Sequence, residues 1–231
     1  RISGKPLVVH IHATEFDRTG GGTVNRHIYE LERQGMEAAD AICTVSEFTK
    51  ATVASKYGIS PDKITVVYNG IEESKIESHQ SGHLDLAAIK RDGKKIVLFV
   101  GRITLQKGPD YFIRAAKKVL EFYPKVTFVV AGSGDMENQI MRQVADLGMS
   151  DKVIFTGFLR GEELDALYRA ADLYVMPSVS EPFGLVALEA MRSGTPVLLS
   201  KQSGVSEVVK HALKVDFWDV DEMANQIVSV L

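Results

Sequence analysis

Short apolar runs bounded by glycine or proline alternate along the chain with stretches whose apolar residues recur at helical spacing. This is the pattern of successive strand–helix–strand units that build a parallel sheet. The second half shows it most clearly. Ile96 to Val100 predicts a buried strand, and Pro109 to Phe122 a helix with Phe112, Ala115, Ala116 and Val119 on one face, stopped by Pro124. Strands are predicted at Val126 to Ala131, Val153 to Thr156, Leu173 to Met176 and Val197 to Ser200. Helices fall at Met136 to Leu147, Glu162 to Ala170 and Gly184 to Ser193. Together they make a nearly complete doubly wound domain. The first part repeats the rhythm on a smaller scale, with strands at Leu7 to Ile11, Ala41 to Val45 and Ile64 to Val67 and helices near Val24 to Gln34 and Glu47 to Tyr57.

Three strands make a poor sheet of this kind, so residues 1–71 read as the C-terminal portion of a domain whose opening strands precede Arg1. Residues 72–95 are polar, lack a sustained apolar period and read as a linker or mobile surface segment; residues 96–231 read as the second domain. A length of 231 residues suits one domain plus part of another, and 45% hydrophobic with 25% charged residues is the composition of a soluble protein with a sizeable core. With 27 basic and 30 acidic residues the chain has no general field for nucleic acid, so any anion site must be local. The single cysteine, Cys43, rules out an intrachain disulfide framework and a cysteine-rich zinc site and points to a reducing compartment, the cytoplasm. No apolar run approaches the roughly 20 residues that span a bilayer, and Arg1 to Lys5 do not open a signal peptide.

Two constellations carry candidate chemistry. The first is the string from Ser178 through Glu181, Phe183, Gly184, Leu185 and Val186 to Glu189, directly after a strand. The free N–H groups of Gly184, Leu185 and Val186 at a helix start form an anion site, and glycine lets a phosphate approach the backbone closely. A diphosphate fits there. Glu189, one turn on, would accept from ribose hydroxyls, and Glu181 in the loop would reach a sugar; the plain alternative is that acidic residues near a helix start complement its dipole. The second constellation is Gly101-Arg102 to Lys107-Gly108, at the carboxyl end of a buried strand, where open α/β sheets place their ligands. Arg102 can grip a phosphate with its fork and Lys107 adds a mobile point charge; alone, the loop also reads as a solvated basic turn.

These loops, with Gly157-Phe158 and the gapless E-x7-E element from Glu181 to Glu189, resemble the family of retaining glycosyltransferases that includes sucrose synthase and bacterial glycogen synthase. The resemblance implies the GT-B fold, an α/β architecture of two Rossmann-like domains with parallel sheets, the N-terminal one incomplete here and serving the acceptor. It implies transfer of a sugar from a UDP-, ADP- or GDP-linked donor to a hydroxyl acceptor, with retention and no required cofactor or metal. Arg102 and Lys107 would then bind the donor diphosphate, Glu181 the donor sugar and Glu189 the ribose, with Phe158, Phe183, Gly184, Leu185 and Val186 lining the donor site. A nucleotide-sugar epimerase, an NAD-dependent oxidoreductase and a non-catalytic nucleotide- or sugar-binding module are the alternatives.

In Val8-Val-His10-Ile-His12-Ala-Thr-Glu15 the two histidines are read as lying on opposite strand faces, so that only one meets the cleft. Resemblance to the His-Ala-Leu-Glu segment of sucrose-synthase-like enzymes selects His12, to touch the sugar or stabilise a developing oxocarbenium; a hydrogen-bonded structural histidine is the alternative. Gly20 to Gly22 is read as a mobile loop beside the acceptor. Gly132-Ser-Gly134-Asp-Met-Glu137 is a partial dinucleotide fingerprint that also suits close packing. Asp219-Val-Asp221 reads as a helix cap rather than a metal pair. Arg114, Lys117, Lys118 and Lys125 form a basic face that suits solvent, or weak contact with a membrane holding a lipid acceptor.

Overall fold

The computed structural model describes residues 4–72 and 85–231. Its N-terminal part is a three-stranded parallel sheet, ordered β1 (Val8–Ile11), β2 (Ala41–Thr44) and β3 (Ile64–Val66). A one-turn helix α1 (Glu15–Arg18) and two longer ones, α2 (Arg26–Ala38) and α3 (Glu47–Tyr57), connect the strands. Ile11, Ile42 and Ile64 from the strands bury against Met36, Val53 and Tyr57 from the helices. The helix starts follow from local chemistry. Asn25 accepts from His27 N at 3.0 Å and Ser46 from Thr49 N at 3.0 Å, each supplying an acceptor that the first helical turn lacks.

The larger part opens with the short helix α4 (Leu86–Ile89) and proceeds through β4 (Lys95–Val100), α5 (Pro109–Phe122), β5 (Val126–Ala131), α6 (Glu137–Asp146), β6 (Val153–Gly157) and α7 (Glu162–Ala170). It continues with β7 (Leu173–Met176), α8 (Leu185–Arg192), β8 (Val197–Ser200), α9 (Val205–Val208), β9 (Leu213–Val215) and α10 (Val220–Val230). The six strands are parallel and ordered β6-β5-β4-β7-β8-β9. The chain therefore starts mid-sheet, grows outward to β6, and crosses back to the other side of β4. The crevice between the carboxyl ends of β4 and β7 is the topological switch point, where ligands bind in this architecture. Strands β5, β7 and β8 are buried along their whole length, which is why they read as unbroken apolar runs. One core lies between the sheet and α5, α6 and α10, through Phe99, Phe112, Phe128, Ile140 and Ile227. The other, through Leu98, Tyr168, Tyr174, Ala187 and Leu199, lies beneath α7 and α8.

The predicted elements stand where the apolar pattern places them, with ends moved by a few residues. Two features differ, and one open reading is decided. Within the segment 72–95, residues 73–84 lie outside the described residues; beyond them Asp85 caps α4, accepting from Ala88 N at 2.9 Å, and Leu86 and Ile89 pack on the core. Elements α1, α9 and β9 were not anticipated: α1 and α9 are single turns, and β9 is three residues long with two of them half-buried, so none presents a period. The Gly132 turn is a packing device. A methyl on Gly132 would sit 1.9 Å from the Gly101 carbonyl oxygen, and one on Gly134 2.3 Å from that of Ile103. Gly132, moreover, adopts φ +141°, which side chains rarely tolerate.

Gly132→Ala is accordingly expected to destabilise the protein by about 3 kcal/mol or more, combining backbone strain with displacement of the β4 loop. Chemical denaturation measures it, and a loss below about 1 kcal/mol would contradict this reading.

Candidate functional site

At the switch point, the loop Gly101 to Gly108 from β4 meets the loop Pro177 to Gly184 from β7. Their backbones touch: a methyl on Gly108 would stand 2.2 Å from the Pro177 carbonyl oxygen. Gln106 braces them. Its carbonyl accepts from Val179 N at 2.9 Å, its Nε2 donates to the Ser180 carbonyl at 3.0 Å, and its Oε1 accepts from Arg102 Nη2 at 3.3 Å. Lys107 Nζ forms an ion pair with Glu181, whose Oε2 also lies 3.4 Å from Ser178 Oγ. The Lys107 and Glu181 side chains are 18% and 8% exposed, so the pair is largely withdrawn from water. The Glu181 backbone is held on both sides, donating to the Gln202 carbonyl at 3.0 Å and accepting from Gly204 N at 2.9 Å.

Helix α8 begins just past this pair. Gly184, in left-handed backbone, caps it without a side chain. The N–H groups of Leu185 and Val186 have no intrahelical acceptor, and with the helix dipole they favour an anion. One turn further, half-buried Glu189 accepts from the Tyr168 hydroxyl at 3.3 Å. Burial pushes the Tyr168 phenol well above its ordinary range, and the nearby Glu189 carboxylate adds to the effect. The two aromatic candidates differ. Phe183 is buried in the core, its carbonyl accepting from Val205 N at 2.7 Å, whereas Phe158 stands 73% exposed at the end of β6.

The N-terminal part is fastened to the same loop. Asp17 Oδ1 accepts from Ser180 Oγ at 2.6 Å, and Ser46 Oγ donates to the Pro182 carbonyl at 2.6 Å. Glu207 accepts from Glu47 N and Phe48 N at 2.9 and 2.7 Å, so a carboxylate on α9 complements the start of α3. The expected mobile loop at Gly20 is packed: a methyl there would touch Leu105 and Val179 at 3.6 Å, so this turn lies against the two switch-point loops. The histidine expectation is corrected. His10 and His12 share a face, with ring centroids 4.1 Å apart, because residues two apart on a strand point the same way. Both are exposed. Desolvation, followed by the neighbouring His12 ring, holds the His10 imidazole below its ordinary range.

Residues 86–231 match the family model of glycosyl transferases group 1, and residues 1–75 match that of glycosyltransferase family 4. The chain belongs to the glycosyl transferases group 1 family. It is 41% identical over 216 residues to an uncharacterized glycosyltransferase of Methanocaldococcus jannaschii, covering 91% of this chain and 55% of the relative. It is 33% identical over 207 residues to glycogen synthase of Mycobacterium tuberculosis, covering 88% and 48%. The chain thus spans about half the length of these relatives. Among solved structures, Anabaena HepE in complex with UDP and glucose superimposes with a TM-score of 0.78 at 24% identity, covering 99% of this chain and 62% of that one. Sucrose-phosphate synthase of Thermosynechococcus elongatus gives 0.78 at 24%, covering 96% and 58%. These likenesses establish the two-domain GT-B fold, of which the chain holds a part.

The remaining patterns of this group 1 chain are absorbed by its own fold. Asp219 caps α10, accepting from Glu222 N at 3.0 Å, and Asp221 pairs with Lys118. Arg114 pairs with Asp110 at 2.6 Å and lies 4.3 Å from the Tyr111 ring centre, while Lys117 donates to the Leu147 carbonyl at 3.1 Å. Among the described residues no helix is long and apolar enough to cross a membrane. Sequence reading missed Gln106, Asp17, Ser46, Tyr168 and Glu207. Only Asp17 and Ser46 carried a signal, the former as Thr14-x-x-Asp17 with both capping-box bonds present, the latter as the cap of α3.

The Lys107–Glu181 pair gives a stability test. Lys107→Met and Glu181→Gln should each cost about 1 to 3 kcal/mol, because each strands a mostly buried partner, and the double variant should recover at least about 1 kcal/mol of the sum. Strict additivity in denaturant titrations would mean the pair carries no coupling.

Proposed function

We propose that the chain is the donor-binding part, together with a portion of the acceptor part, of a retaining glycosyltransferase that moves a sugar from a nucleoside-diphosphate sugar to a hydroxyl acceptor. The observation that carries this reading is the Lys107–Glu181 pair set beside the open N-terminus of α8. An anion site and a sugar-facing carboxylate adjoin at one switch point. The diphosphate lies against the N–H groups of Leu185 and Val186, with Arg102 and Lys107 matching its charge. Glu181 accepts from hydroxyls of the donor sugar, Glu189 from the ribose, and Phe158 lies at the nucleoside end. His12 faces the sugar from the N-terminal part. That a structure of the same fold was solved with UDP and glucose supports a nucleotide-sugar donor.

In the reaction, the bond from the anomeric carbon to the diphosphate oxygen breaks and one from that carbon to the acceptor oxygen forms on the same face. The acceptor proton passes to the departing diphosphate. Positive charge grows on the sugar ring and negative charge on the leaving group, so preorganised cations and helix N–H groups lower the barrier where charge develops. This scheme assigns no step to a metal. A cytoplasmic setting suits the single Cys43 and the nucleotide donor.

Thermal shifts of the chain with UDP, ADP, GDP and NAD at matched millimolar concentrations test the donor site. One nucleoside diphosphate should stabilise it, by about 2.7 kcal/mol at roughly a hundredfold excess over Kd, and Lys107→Ala should abolish the shift. Stabilisation by NAD alone would contradict the reading. In the complete protein, Lys107→Ala should lower kcat by about 100-fold, or about 3 kcal/mol of barrier; turnover within about threefold of wild type would remove Lys107 from the chemistry.

A further inference from the structure

We infer that Tyr168 is a positioning residue for the nucleotide: it orients the Glu189 carboxylate toward the ribose hydroxyls. The inference rests on the proposed donor-site reading and adds to it a residue that no sequence motif marks. Tyr168 lies on α7, outside both loops, and is fully buried. Its ring meets Tyr174 edge-on, with centroids 6.1 Å apart at 83°, and its carbonyl accepts from Thr195 Oγ1 at 2.5 Å, so ring and backbone are held independently of Glu189. From that fixed place the hydroxyl donates to Glu189 Oε2 at 3.3 Å. Among the described residues this is the one side-chain hydrogen bond to the Glu189 carboxylate, and Oε1 takes none.

A glutamate on a helix surface has three rotatable side-chain bonds, and a ribose diol is recognised only when the carboxylate plane is set to receive it. Burial and the neighbouring carboxylate hold the Tyr168 phenol well above its ordinary range, so its hydroxyl stays a donor, and Glu189 accepts from it through Oε2 with Oε1 to spare. The bond fixes the carboxylate before the nucleotide arrives, which reduces the ordering cost of binding.

The test compares the tightest binder among UDP, ADP and GDP with its 2′,3′-dideoxy analogue, by calorimetric titration of wild type, Tyr168→Phe and Glu189→Gln. Phenylalanine retains the ring and its packing, and a melting curve checks that the fold is kept. Wild type should prefer the ribose form by about tenfold or more, and Tyr168→Phe should lose about five- to tenfold for that form while binding the dideoxy analogue within about twofold of wild type. Equal losses for both nucleotides would show a merely structural tyrosine and overturn the inference. So would an unchanged ribose preference in Tyr168→Phe alongside a lost preference in Glu189→Gln, an outcome that leaves the ribose assignment of Glu189 standing. A preference that survives Glu189→Gln, or no nucleotide binding by wild type, would overturn the donor-site reading and the inference with it.

Discussion

The candidate site depends on two loops meeting over the point where the sheet reverses its direction of growth. Strand order β6-β5-β4-β7-β8-β9 leaves adjacent carboxyl ends whose connections depart in opposite directions. A crevice there is a consequence of connectivity. The sequence turns it into a charged one by placing Lys107 on one loop and Glu181 on the other, close enough to pair. Because both are largely buried, each keeps the other from being a stranded charge. The approach is permitted by the absence of a side chain at Gly108, against the Pro177 carbonyl, and maintained by Gln106, which uses its carbonyl, amide and side-chain oxygen at once.

The N-terminal part reads this arrangement through the acidic loop. Asp17 reaches Ser180, Ser46 reaches Pro182, and Glu207 answers the start of α3. The first two contacts fall on the residues either side of Glu181, so the N-terminal part is fastened directly beside that carboxylate. Val45, at the end of β2, is buried within the same core as Tyr174, Met176 and Phe183. The fastening is therefore hydrophobic as well as polar. The proposed nucleotide-sugar donor, with two unlike ends, suits a site that adjoins the meeting of two sheets.

Much of this was legible in the residues because fully buried parallel strands write themselves as apolar runs and their helices as amphipathic ones. Pro109–Phe122, Val126–Ala131 and Leu173–Met176 were read with their observed ends for that reason. Arg102 and Lys107 were singled out because they adjoin Gly101 and Gly108 after a strand, and Glu181 and Glu189 because they frame a helix start led by Gly184. What stayed hidden was tertiary. Gln106 and Tyr168 act across 74 and 21 residues of sequence, to Ser180 and Glu189, and nothing local distinguishes them from a loop glutamine and a core tyrosine. The histidine pair was misjudged because strand alternation places residues two apart on one face, as the 4.1 Å ring contact shows.

The most direct test of the account is a crystal structure of the chain with a bound nucleoside diphosphate. The account predicts the diphosphate within hydrogen-bonding distance of the Leu185 and Val186 N–H groups and of Lys107 Nζ, with the ribose against Glu189. A nucleotide seated elsewhere, such as the polar depression between α5 and α6 lined by Arg114, Gln139 and Arg142, would contradict it.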